Sequence, residues 1–199
     1  MMINAAGKQM FLSLLFTAVA CIILGMGLPT TSSYIIAASI LAPALAKLGI
    51  APLTAHLFVF YFACLSAITP PVALAAYAGA GIAKCDPMMT AIQACKIGFA
   101  GFIVPFVFCY NSAMMLDGTL LDIVKVCGTA LVGCAGLSCG LQGWFFSRQR
   151  KISAISRLII ITMGFCMVLP SDIMSIVGII GLVAIAVFES TRSKKLSAA

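Results

Sequence analysis

Two interruptions in an otherwise continuous apolar sequence limit what this chain can fold into. The first reads Gly25-Met26-Gly27-Leu28-Pro29-Thr30-Thr31-Ser32-Ser33 and the second Ser66-Ala67-Ile68-Thr69-Pro70-Pro71. Gly and Pro break helices, and the neighbouring Ser and Thr offer hydroxyl oxygens. In hydrocarbon, a freed backbone carbonyl or N–H is costly unless something satisfies it. Irregular backbone at membrane depth is tolerated only where protein packs around it or where it lines a cavity. Two such breaks point to a site for an ion or small solute near the membrane midplane, as in secondary transporters.

Composition supports that reading. Of the 199 residues 63% are hydrophobic and 9% are charged, against about 25% charged in a soluble domain. The chain cannot cover a water-facing surface, and its length leaves room for roughly six to eight membrane-entering segments. The first apolar run leads into the Gly-Pro break and not into a small-residue cleavage site, so no cleavable signal peptide is expected. The net charge of +7 concentrates in Arg148, Arg150, Lys151 and Arg157 and in the tail Arg192, Lys194 and Lys195. These fit cytoplasmic loops that touch lipid head groups. No aromatic-basic interleaving marks a nucleic-acid surface, and no nucleic-acid partner is expected. The nine cysteines lie mostly inside apolar runs, with no CxxC and only His56 to complete a metal site. They read as small buried hydrophobes.

The pattern predicts an all-α polytopic membrane protein with a re-entrant helical hairpin and a discontinuous transmembrane helix. Residues 9–24 and an arm from Tyr34 to Leu48, bent at Pro43, form the hairpin over 9–48. Sixteen residues span about 24 Å, short of the ~30 Å hydrocarbon core, so two arms meeting at a turn fit better than two full crossings. The broken helix covers 51–83 and halts at Thr69-Pro70-Pro71. A helix follows over 97–116 with Pro105 as its kink, closing a first region of 1–116. Region 117–199 holds Leu121–Phe146, ending at the interfacial Trp144, then Leu158–Leu169 and Ile173–Phe188, hinged at Pro170-Ser171-Asp172, and a tail. With the basic loop and tail cytoplasmic, Lys84–Lys96 also falls inside and the Lys47-Leu48-Gly49 turn outside. The hairpin then opens outward, with Lys47 and Lys125 as the exceptions.

Chemistry centres on the breaks. A hard monovalent cation such as Na⁺ takes oxygen ligands, which short hydroxyls and unwound carbonyls supply without a buried carboxylate. No Asp or Glu lies near either break, which disfavours proton relay and divalent-metal sites. The alternative is structural: Gly25 and Gly27 for close helix packing, Pro29 for a kink. His56 reads as a satisfied interfacial residue, Asn111 as an interhelical hydrogen-bond former, and Tyr34, Tyr77 and Tyr110 as packing. No GxSxG, HExxH or phosphate-cradling loop occurs, and the chain is not expected to be an enzyme.

The series Gly25 to Tyr34, Leu41-Ala42-Pro43-Ala44-Leu45, Leu48-Gly49-Ile50-Ala51-Pro52-Leu53-Thr54-Ala55-His56-Leu57-Phe58, Ser66 to Ala75, Gly101 to Phe108 and Tyr110-Asn111 resembles the DctM-like large permease subunit of tripartite ATP-independent periplasmic (TRAP) transporters. It is most similar to the fused permeases of the TAXI branch, strongly over 10–116 and more loosely beyond. The resemblance implies an elevator-type permease of the bacterial inner membrane, driven by Na⁺, with no other cofactor. Its solute would be an organic acid or carboxylate delivered by a periplasmic solute-binding protein. Carried onto this chain, it implies Gly25, Gly27, Thr30, Thr31 and Ser32 at the hairpin tip. Ser66, Thr69 and the backbone of Ala67 are implied at the broken helix, together forming the ion or substrate site.

Such permeases contain two inverted repeats, whereas one hairpin and one Thr-Pro-Pro break stand here. The chain is therefore expected to be a C-terminal portion that needs remaining permease segments or a small membrane subunit, with a cytoplasmic C-terminus. The rival expectation is a non-transporting membrane remnant or assembly protein. A weaker third is redox or metal handling by the cysteines. Thr69→Ala is expected to weaken Na⁺-dependent uptake in a reconstituted complete system while leaving membrane insertion intact; uptake equal at all Na⁺ concentrations counts against the assignment.

Overall fold

The computed structural model describes residues 2–143, 154–168 and 178–181, and the chain divides into two compact units, Met1–Cys109 and Tyr110–Ala199. The first unit begins with α1 (Met2–Gly25), α2 (Thr30–Lys47) and α3 (Pro52–Leu65). It continues with α4 (Leu74–Ala83), α5 (Pro87–Ile97) and α6, which runs over Phe99–Tyr110. Pro52 and Pro87 open α3 and α5 at positions where a missing N–H costs nothing. Asp86 caps α5 by accepting from the Met89 N–H at 2.7 Å.

Packing of α1, α2 and α3 follows the helical period. The buried positions of α1 are Leu14, Thr17, Ala18, Cys21 and Gly25; those of α2 are Ser33, Ala37, Ala38, Ala42 and Leu45. On α3 they are Thr54, Ala55, Phe58, Val59, Phe62 and Ala63, and the stripe runs on to the buried Ser66. Steps of three and four keep each set on one face. Alanines let α2 approach closely, which matters where no water drives helices together and dispersion must do so. Phe58 and Phe62 meet Phe106 of α6 edge-on, with ring centroids 5.4 and 5.8 Å apart, each pair contributing about 0.5–1.5 kcal/mol beyond area burial. A smaller cluster joins α4 to α5 through Ala73, Ala76 and Ala91.

Several boundaries differ from the sequence expectation. The first interruption shrinks to Met26–Pro29, because Thr30, Thr31, Ser32 and Ser33 form the first turn of α2. The helix expected over 97–116 is shorter: α6 stops at Tyr110, the turn Ser112–Met115 follows it, and α5 precedes it across Gly98 with a 42° bend. Pro105 sits inside α6. Asn111 does not bridge helices: its side chain accepts from the Ala113 N–H at 3.0 Å and caps the short turn Ser112–Met115. A polar side chain beside its own free N–H groups closes that local bond first.

The second unit contains α7 (Leu120–Gln142) and α8 (Ala154–Val168). Thr119 caps α7, and Arg157 of α8 donates to the carbonyls of Gly140 at 3.1 Å and Leu141 at 2.9 Å. A cation is favoured at that C-terminal end. Among the described residues α7 is long and apolar enough to cross a bilayer, and α5 with α6 qualifies as a bent pair. Large apolar side chains stand outward, Ile82 at 86% and Phe16 at 73% exposure among them. Surfaces of that kind need lipid or protein against them. Trp144, the basic residues Arg148, Arg150 and Lys151, the Pro170-Ser171-Asp172 hinge and the tail lie outside the described residues, as does most of Ile173–Phe188.

Glycines let α7 and α8 touch. A Cβ on Gly164 would stand 2.9 Å from the Leu137 nitrogen and 3.0 Å from the Gly133 carbonyl oxygen, both backbone atoms that cannot swing aside. Gly164→Ala is expected to destabilise the purified chain by about 1–3 kcal/mol, read as a lower melting temperature in detergent. Gly128→Ala, in the same helix pair with nothing within 4 Å of the new carbon, is expected to be neutral or stabilising by up to about 1 kcal/mol.

Candidate functional site

The buried stripes of α1, α2 and α3 converge at their polar ends. Gly25 closes the stripe of α1, Ser33 heads that of α2 and Ser66 follows that of α3, all three buried. A Cβ on Gly25 would lie 2.5 Å from the Ser33 Oγ, 2.5 Å from the Ser66 Oγ and 2.8 Å from the Ser66 Cβ. Only a residue without a side chain fits between the two serines. The Ser66 hydroxyl reaches across the interruptions to the Gly25 carbonyl at 3.2 Å and back to its own helix at the Ala63 carbonyl, 2.7 Å away. The two breaks, 41 residues apart in sequence, are thus hydrogen-bonded to each other.

Ser33 is different. Its hydroxyl is fully buried and has no hydrogen-bond partner among the described residues. An unsatisfied hydroxyl of this kind costs about 1–3 kcal/mol, a cost that a bound group would offset. On the other side of the Gly25 Cα stands the Ser66 hydroxyl, bonded to the Gly25 carbonyl; all are neutral oxygens of the type a hard monovalent cation takes. The C-terminal ends of α1 and α3, which carry partial negative charge, both finish here.

At the second interruption the freed carbonyls are accounted for almost one by one. Leu65 accepts from the Thr69 hydroxyl at 2.7 Å, Ala67 from the Ala75 N–H at 3.0 Å and Thr69 from the Ala73 N–H at 3.2 Å. The Tyr77 hydroxyl donates to the Pro71 carbonyl. The Cys95 thiol donates to the Ile68 carbonyl at 3.3 Å. Ala73 closes the segment with φ of +31°, a left-handed conformation uncommon outside glycine.

The residues singled out from sequence therefore divide. Gly25 and Ser66 are in direct contact, and Thr69 and Ala67 belong to the same interruption. Gly27, at φ of +79°, forms the tip between α1 and α2, where a Cβ would come 3.8 Å from Val72 of the second interruption. Thr30, Thr31 and Ser32 are exposed in the first turn of α2, which has no side-chain cap. Ser33 was missing from the sequence-based set, although its spacing of four from Ala37 places it on the alanine face. Tyr77 was read as packing but also satisfies a freed carbonyl. Tyr34 pairs its hydroxyl with His56 Nδ1 at 3.0 Å on the exposed side of α2 and α3, and all nine cysteines are free thiols.

Comparison with known proteins adds one finding. A family model described as "Tripartite ATP-independent periplasmic transporter, DctM component" matches residues 1–123, well over half of the chain. No curated protein and no solved structure matches.

The fit at Gly25 leads to a specific expectation. Gly25→Ala places a methyl group against Ser66 Cβ as well as both hydroxyls, so α1 and α3 must separate. The variant should melt with a loss of about 1–3 kcal/mol relative to the parent. Gly27→Ala meets no neighbour closer than 3.8 Å and should lose only the roughly 1–2 kcal/mol of left-handed backbone strain. The added effect of Ser66→Gly, which clears room on one side, distinguishes them: it relieves Gly25→Ala in part, the Ser33 hydroxyl still standing 2.5 Å away, and leaves Gly27→Ala unchanged.

Proposed function

The chain belongs to the DctM component family of tripartite ATP-independent periplasmic transporters, and on that premise we propose that it is a Na⁺-coupled permease component for an organic-acid solute, with its ion site where α1, α2 and α3 end. The family is a membrane-transport family and not an enzyme family, and its permeases work with a periplasmic binding protein. The finer reading rests on the geometry of the interruptions.

The unpartnered Ser33 hydroxyl is the observation that carries it. A cation among Ser33 Oγ, Ser66 Oγ and the Gly25 carbonyl would satisfy that hydroxyl and sit at the negative ends of two helices. The absence of Asp and Glu near these residues in sequence favours a monovalent ion over a divalent one. The uncapped start of α2 faces the opposite charge: its leading N–H groups and the exposed hydroxyls of Thr30, Thr31 and Ser32 suit a carboxylate. One interruption thus offers a cation-favouring end and an anion-favouring end a turn apart, the pairing that co-transport of Na⁺ with an organic acid requires.

In this reading α1 and α2 form a re-entrant hairpin that opens outward, and α3 with α4 forms the broken helix of an elevator-type transport domain in the bacterial inner membrane. The chain spans the membrane several times with its C-terminus cytoplasmic. It follows the TAXI-type pattern, and further permease segments supply the second hairpin and break.

Ser33→Ala separates an ion ligand from a structural hydroxyl. In K⁺ the variant should be as stable as the parent or more so, because it removes a buried unsatisfied group. In Na⁺ it should lose the Na⁺-specific rise in melting temperature, and reconstituted transport should need about tenfold more Na⁺ for half-maximal uptake, the loss of one ligand to a charge. Equal destabilisation in both salts would show that the hydroxyl only packs.

A further inference from the structure

Among the carbonyls of the second interruption, that of Ile68 is held by the weakest donor. A thiol is a poor hydrogen-bond donor, and the Cys95 Sγ stands 3.3 Å from the Ile68 oxygen. The contact is reinforced by shape. A Cβ on Gly98 would lie 3.1 Å from Ile68 Cδ1, and one on Gly101 would lie 3.5 Å from Leu65 Cδ2. Cys95, Gly98 and Gly101 stand on consecutive turns across the 42° bend between α5 and α6, so the elbow itself lies along the interruption from Leu65 to Ile68. Ile68 is two residues from Ser66 and adjacent to Thr69.

We propose that the α5–α6 elbow is a positioning element for the ion site, in which the Cys95 thiol and the bare Gly98 backbone hold Ile68 and so fix where Ser66 and Thr69 stand. The inference rests on the ion-site reading above. Cys95 is a positioning residue and not an ion ligand: it acts through the Ile68 carbonyl and its contact with the Thr69 side chain. Without that donor the carbonyl is left unsatisfied within an apolar helix packing, and the interruption turns to find another partner. The geometry of the Ser66 hydroxyl against Gly25 then relaxes with it. A stronger donor of nearly the same size preserves the arrangement, which separates the role from simple space filling.

The test uses the purified full chain in detergent, with melting temperature followed as Na⁺ replaces K⁺ at constant ionic strength. A ligand that binds the folded state raises the melting temperature with its own concentration dependence. For Cys95→Ala the half-saturating Na⁺ concentration should rise about fivefold, the scale of one lost hydrogen bond. Cys95→Ser keeps a hydroxyl donor and should stay within about twofold of the parent. Equal half-saturation in the parent and Cys95→Ala overturns the proposal, and so does a Cys95→Ser variant no better than Cys95→Ala. A parent chain with no Na⁺-specific shift removes the ion-site reading and this inference together. A second measurement needs no variant: alkylation of Cys95 in the parent chain by N-ethylmaleimide, followed by peptide mass spectrometry. Na⁺ should slow modification of Cys95 relative to K⁺ and leave Cys127 of α7 unchanged. An unchanged rate at Cys95, or an equal change at both thiols, overturns the proposal even where Cys95→Ala fails to fold.

Discussion

The first unit depends on the missing side chain at Gly25. Three helices place small or aromatic residues on one face each, and their stripes run together until two serine hydroxyls close on a single bare Cα. Any side chain there would hold α1 away from α3 and remove the Ser66–Gly25 hydrogen bond. The same closeness shuts the Ser33 hydroxyl away from other protein donors and acceptors. Packing and candidate chemistry are thus one arrangement: the tightness that makes the helices fit also leaves the Ser33 oxygen without a hydrogen-bond partner.

That arrangement follows from the solvent. In lipid, burial of apolar surface gives helices little reason to associate, so contact area, aromatic edges and interhelical hydrogen bonds must hold them. Phe58, Phe62 and Phe106 supply edges at one level of α3 and α6, and Ser66 supplies a hydrogen bond at the next turn. Backbone freed by Pro70 and Pro71 lacks helical partners. The neighbouring hydroxyls of Thr69 and Tyr77, the Cys95 thiol and the N–H groups of Ala73 and Ala75 take up its carbonyls instead. An interruption so largely satisfied is a built feature of the fold, and its one thiol donor is the weakest of these contacts.

The second unit solves the same problem by other means. Gly140 and Gly164 bring α7 and α8 into backbone contact, and Arg157 spans from one helix to the free carbonyls ending the other. A guanidinium donating to two carbonyls needs no carboxylate partner, which suits a chain with so few acids. Among the described residues, these contacts form no oxygen cluster comparable with Gly25, Ser33 and Ser66.

The sequence by itself determined the class of structure, because 63% hydrophobic residues with 9% charged leave no folded state in water. It also determined where helices stop, because Gly and Pro act through their own backbone: both interruptions, the starts at Pro52 and Pro87 and the Asp86 cap are local effects. It misplaced the edges of the first interruption, since Thr30 to Ser33 have no local feature that forbids a helix once Pro29 has set its start. Tertiary structure alone decided that the two interruptions meet, that Ser33 and not Thr30 or Thr31 turns inward, and that Cys95 reaches Ile68 from 27 residues away. Those outcomes depend on how three helix faces rotate to bury alanines and phenylalanines against one another, a choice made by packing between distant segments that no local run of residues encodes.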